Sequence, residues 1–126
     1  MTGTMNRPED TASRLLLRGL EVCALSDVPE GGGSMRQLAV GPERVPLLVL
    51  RSGAQCYGYI NRCPHFGMPL AVQDAHLIVQ PHQWVKCNVH YARFRWQDGF
   101  CEAGDCAGES LERVDLCIVN GRVVVA

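Results

Sequence analysis

Apolar runs in this chain are short, and residues that turn a backbone end each one. Residues 20–25, 35–40, 47–50, 57–60, 116–119 and 123–125 are separated by Gly31-Gly32-Gly33, Gly41-Pro42, Arg51-Ser52-Gly53 and Asn120-Gly121. Runs this brief, with no apolar repeat at helical spacing, exclude a helical bundle and predict an all-β chain of sandwich or barrel character. The clearest hairpin is 116–119 with 123–125, because Asn-Gly accepts the positive φ angles that a tight two-residue turn demands. It is expected to close the larger sheet. A second hairpin, 47–50 with 57–60, delivers the chain to Cys63. Beyond it, short stretches at 76–79, 84–85 and 94–96 flank Pro81 and the Asp98-Gly99 turn, as strands of a small second sheet would.

With 126 residues, 47% of them apolar, the chain supports one hydrophobic core rather than two. Residues 1–13 are polar and aperiodic and read as a loose tail, leaving 14–126 as a single domain. Twelve basic and thirteen acidic residues give a formal charge of -1, too little positive charge to hold a nucleic-acid backbone. Leu15-Leu16-Leu17 is the longest aliphatic run near the amino end, far short of a signal-peptide core or a membrane span. The expectation is a cytoplasmic protein with no membrane partner.

Seven cysteines are many, and an odd number cannot all pair within one chain. Reduced thiols or metal ligands are the default in a reducing compartment. Cys23, Cys56 and Cys117 lie in apolar stretches and read as small buried hydrophobes. Cys101 and Cys106 read as thiols rather than a local disulfide. The remaining two sit in turn-rich loops, each beside a histidine: Cys63-Pro64-His65 and Cys87-Asn88-Val89-His90, with 21 residues between His65 and Cys87. Two such loops can offer two sulfurs to one iron and two ring nitrogens to the next. They can equally offer the same four donors to one tetrahedral zinc, although zinc sites more often pair cysteine with cysteine and space their histidines more widely.

The segment Cys63-Pro64-His65-Phe66-Gly67-Met68-Pro69-Leu70 resembles the first cluster loop of the Rieske family. Cys87-Asn88-Val89-His90, followed by Ala92-Arg93-Phe94, resembles the second. The resemblance covers roughly residues 20–125. It implies a Rieske-like antiparallel β-sandwich or barrel that carries a small cluster-binding subdomain at about 61–96. It also implies one 2Fe-2S cluster, with Cys63 and Cys87 on the inner iron and His65 and His90 on the outer one. By the same likeness the chain is an electron carrier, not an enzyme, resembling stand-alone ferredoxins that pass electrons from a flavin reductase to a ring-hydroxylating terminal oxygenase. No histidine follows His90, so the second iron site of such oxygenases has no ligands here. The alternatives are a small Rieske subunit of a larger reductase, such as nitrite reductase, and a zinc-bound interaction module without redox activity.

The resemblance carries a further expectation, a low potential. High-potential relatives tie the two loops by a disulfide, and the matching positions here are Met68 and Val89. Those relatives also place a serine and a tyrosine hydroxyl against cluster sulfur, where this chain has Ala92 and Phe94. Tyr91 stands where the family usually has glycine, and no proline falls within 101–110, the segment that matches its third loop. Trp84, Phe94 and Trp96 read as core, and His76 and His82 as surface residues. Glu102, Asp105, Glu109, Glu112 and Asp115 read as a solvated acidic face able to steer a basic redox partner.

Overall fold

The structure is a computed structural model, and it describes residues 17–64, 69–71, 73–87, 92–104 and 108–126. The tail expected over 1–13 lies outside the described residues. Among the described residues eleven strands form three antiparallel sheets, so the all-β expectation holds. One sheet has the order β2-β3-β4-β9, built from β2 (Gly33–Val40), β3 (Glu43–Ser52), β4 (Gln55–Ile60) and β9 (Arg113–Val114). A second has the order β1-β11-β10, from β1 (Glu21–Ala24), β10 (Leu116–Val119) and β11 (Arg122–Val125). The third runs β5-β6-β7-β8, from β5 (Ile78–Gln80), β6 (Trp84–Lys86), β7 (Arg93–Arg95) and β8 (Cys101–Ala103). No helix among the described residues is long and apolar enough to cross a membrane.

Both expected hairpins form. Asn120 and Gly121 take φ of 52° and 76°, the left-handed pair that their residue types tolerate, and Leu116 pairs with Val125 across the turn. The terminal hairpin does not extend the four-stranded sheet, however. It pairs with β1, where Cys23 opposes Val123, and makes a sheet of its own. The reason lies in the side chains: Val123 and Val125 turn their buried faces onto a core shared with Leu47, Val49 and Ile60 of the four-stranded sheet.

Strand β3 and its partner β4 are buried on both sides. Leu47 and Val49 face that first core together with Cys56 and Ile60 of β4. Leu48 and Leu50, with Tyr59, face a second core that the small sheet completes with Val85, Phe94 and Trp96. Successive side chains point to opposite faces of a strand, so the unbroken run Leu47-Leu48-Val49-Leu50 is what a wall between two cores requires. The Tyr59 hydroxyl donates to the Trp96 carbonyl across the second core, and burial pushes that phenol well above its ordinary pKa.

Gly58 sits where β9 crosses β4. A Cβ at this position would lie 2.4 Å from the Val114 carbonyl oxygen and 2.8 Å from the Leu116 side chain. Gly58→Ala must therefore part β4 from β9, and a loss of about 1–3 kcal/mol or more is expected, read as a lower urea midpoint at unchanged slope.

The cysteine expectations are corrected at one position. Cys23 and Cys56 are buried, but Cys117 is exposed. Strand β10 alternates, with Leu116 and Ile118 half-buried while Cys117 and Val119 point outward. An apolar run of four residues gives no hint of which parity faces solvent. Burial raises the Cys56 thiol to about 11 and moves Cys23 in the same direction. Alkylation at pH 8 is thus expected to label Cys117 and spare Cys23 and Cys56 in the folded protein, as peptide mapping would show. The unfolded Cys56 ionises near 9.0 while the native thiol stays neutral to about 11. Its contribution to stability is accordingly full below pH 9 and falls as pH rises toward 11.

Candidate metal centre

Strand β4 ends at Ile60 and hands the chain to Asn61, a buried polar residue. The Asn61 side chain bridges the base of the first loop: its Oδ1 accepts from the Leu70 amide at 2.9 Å and its Nδ2 donates to the Ala71 carbonyl at 3.4 Å. The Asn61 amide donates to the Pro46 carbonyl at 2.9 Å, which ties the start of the loop to β3. Cys63 follows two residues later and is fully buried. Nothing in the cysteine and histidine spacing points to Asn61. Its signal is a residue with both donor and acceptor placed just ahead of a ligand-bearing loop, able to close that loop upon itself.

The second loop leaves β6 at Lys86 and returns into β7 at Arg93. It too is closed at its base, by the Cys87 amide donating to the Ala92 carbonyl at 2.8 Å. Cys87 and Ala92 are both fully buried. Cys63 and Cys87 are thiols in one packed group of buried side chains with Phe94, Trp96 and Leu70. The two sulfurs that the sequence singled out thus share an apolar shell, one from each loop. His65 and His90 lie outside the described residues, as do Met68, Val89 and Tyr91.

Segment β8 adds a third wall. Gly104 follows it with φ of +99°, and a Cβ there would stand 2.7 Å from the Ala92 Cα. Only a residue without a side chain lets this backbone press so closely on the exit of the second loop. Cys101 is fully buried in the same core, and its thiol donates to the Ala103 carbonyl at 3.2 Å. Cys106 lies outside the described residues. Phe94 and Trp96 are buried as expected, but Trp84 is not core. It is half-buried on the outer face of the small sheet, beneath Lys86 and Arg93. His76 and His82 are exposed; the His82 ring meets Trp96 edge-on at 5.6 Å between centroids. Glu102, Glu109 and Asp115 are exposed and Glu112 half-buried, which suits the solvated face; Asp105 lies outside the described residues.

This donor set suits an iron–sulfur cluster. A buried thiol that must ionise to act as a ligand gains nothing from apolar surroundings unless a metal takes up the charge. Two such thiols, on loops tied to separate strands, supply the two sulfurs that one iron of a two-iron centre needs. In this arrangement the described chain's own work is positioning. Asn61 holds the first loop, the Cys87–Ala92 bond holds the second, and Gly104 admits the third segment against the exit of the second.

Comparison with known proteins agrees. The family model for the Rieske [2Fe-2S] domain matches residues 19–117. None of the curated protein sequences matches the chain. Among solved structures, the ferredoxin of carbazole 1,9a-dioxygenase from Nocardioides aromaticivorans IC177 is similar at a TM-score of 0.69 and 21% identity, over 86% of this chain and 97% of that one. A complex of reduced oxygenase and oxidized ferredoxin in carbazole 1,9a-dioxygenase contains a chain similar at 0.69 and 25% identity, over 87% and 94%. The terminal oxygenase of carbazole 1,9a-dioxygenase from Novosphingobium sp. KA1 is similar at 0.71 and 19% identity, over 89% of this chain and 31% of that one. Three antiparallel sheets, two closed loops that bring Cys63 and Cys87 into one buried shell, and a family match across 19–117 lead to one conclusion: the chain belongs to the Rieske [2Fe-2S] domain family.

Proposed function

We propose that this protein is an electron carrier, and that Cys63, His65, Cys87 and His90 hold its one 2Fe-2S cluster. The cysteines ligate the inner iron and the histidines the outer, so the imidazole edges are the way in and out for the electron. Residues 14–126 form one domain, 1–13 its tail, and about 61–96 its cluster-binding part. The donor is a flavin reductase and the acceptor a terminal oxygenase, both met in the cytoplasm.

The observation that carries this reading is the burial of Cys63 and Cys87 in one apolar group, each on a loop closed at its own base. A site preformed in this way needs little rearrangement between charge states, and small rearrangement is what a carrier requires. Support for the partners comes from the ferredoxin of a dioxygenase, which is matched over 97% of its length, whereas the oxygenase is matched over 31%. The purified protein is expected to be brown, to bleach when an NADH-dependent flavin reductase reduces it, and to show a rhombic paramagnetic signal in that state. A colourless protein holding stoichiometric zinc would overturn the proposal.

A further inference from the structure

The small sheet turns Val79, Val85, Phe94 and Cys101 toward the cysteines, and its other face carries the exposed Ile78, Gln80 and Arg95 with the half-buried Trp84, Lys86 and Arg93. Along the edge of that face nearest the second loop, directly paired residues run Ile78, Lys86, Arg93 and Ala103 across the four strands. Lys86 and Arg93 are cross-strand partners, and like charges directly opposite one another destabilise a sheet. Trp84 lies one row further from the loop. The Lys86 ammonium stands 5.3 Å and the Arg93 guanidinium 5.5 Å from its ring centroid, so one aromatic ring holds both cations in place. Ile78, exposed at 36%, ends the row.

Lys86 and Arg93 stand at the end of the sheet beside the loop. At the far end Arg95 is matched by Asp98, with a guanidinium–carboxylate contact of 2.6 Å, and the Asp98 and Glu102 carboxylates both act on that guanidinium. Lys86 and Arg93 are the residues from which the second loop departs and to which it returns, one before Cys87 and one after Ala92.

We infer that this face, centred on Trp84, Lys86 and Arg93, is the docking surface for a redox protein that presents an acidic patch. The inference rests on the carrier reading above and adds the sign of the partner's charge. Cations already ordered on an aromatic ring lose little freedom on docking, and their charge speeds encounter with an anionic surface. A partner seated here lies beside the loop that carries His90. The sign is opposite to the one that the acidic residues after Cys101 would favour, so a charge-reversal experiment separates the two.

The test is stopped-flow oxidation of the reduced holoprotein by two haem proteins of opposite surface charge, acidic cytochrome b5 and basic cytochrome c. Cytochrome b5 is expected to react the faster at low salt, with a rate that falls about tenfold or more as salt rises. Arg93→Glu is expected to slow cytochrome b5 by about tenfold at low salt and to quicken cytochrome c. Arg44→Glu, the same charge change at an exposed position near the start of β3, leaves both rates within about twofold. If Arg93→Glu does not retain the cluster spectrum, Arg93→Gln serves, with a slowing of about threefold expected. Cytochrome b5 oxidation that is indifferent to Arg93 overturns the inference and leaves the carrier reading standing. So does tight, salt-sensitive quenching of Trp84 by a DNA duplex, which would assign the face to nucleic acid. A protein whose cluster reduces neither cytochrome at any salt sinks both readings.

Discussion

Cys87→Ala protein is expected to emerge colourless, its iron content falling from about two atoms per chain to near zero and its visible absorption lost. The reason is physical as well as a matter of donor count. Cys87 is fully buried beside Phe94 and Trp96, and its amide already donates to the Ala92 carbonyl. Alanine puts no donor atom in place of the sulfur. Cys63→Ala is expected to do the same from the first loop. The folded half built on Leu47, Val49 and Val123 contains neither cysteine, so far-ultraviolet circular dichroism should keep its strand signal in both variants. Unchanged iron and absorption in Cys87→Ala would remove Cys87 from the ligand set.

The second large effect concerns potential. The cluster is expected near about -150 mV, not near about +300 mV. Hydrogen bonds to cluster sulfur stabilise the more negative reduced state, so each one missing makes reduction harder. At the positions where high-potential relatives supply hydroxyls, this chain has Ala92 and Phe94, both fully buried and neither able to donate. The Cys87 amide is also committed, to the Ala92 carbonyl at 2.8 Å. Restoring one donor by Phe94→Tyr should raise the potential: about 1 kcal/mol of preference for the reduced state is roughly 40 mV for one electron. Protein-film voltammetry at neutral pH decides, and a wild-type value above about +100 mV would contradict the argument.

Much of this was legible in the sequence, for identifiable reasons. Asn120-Gly121 and Ser52-Gly53 announce their hairpins because few residue types tolerate such turns. Cys63 and Cys87 stand out because each is followed within three residues by a histidine. Strands β8 and β9 were not legible: three and two residues long, they are held by neighbours rather than by a pattern of their own. Cys117 and Trp84 were assigned to the core because hydrophobicity does not say which face of a strand looks outward. Asn61 escaped notice because closing a loop is visible only once Leu70 and Ala71 are seen to return to it.

The two-sided burial of β3 has a consequence for anyone who wishes to redesign this protein. Position number along the strand sorts substitutions by what they change. Leu47 and Val49 belong to the core that lacks Cys63 and Cys87, Leu48 and Leu50 to the core that contains them. Trimming an odd-numbered side chain should alter how firmly the scaffold stands and leave the colour and voltage of the centre alone, while trimming its even-numbered neighbour should disturb both. The strand offers two separate dials, set one residue apart, for durability and for redox tuning.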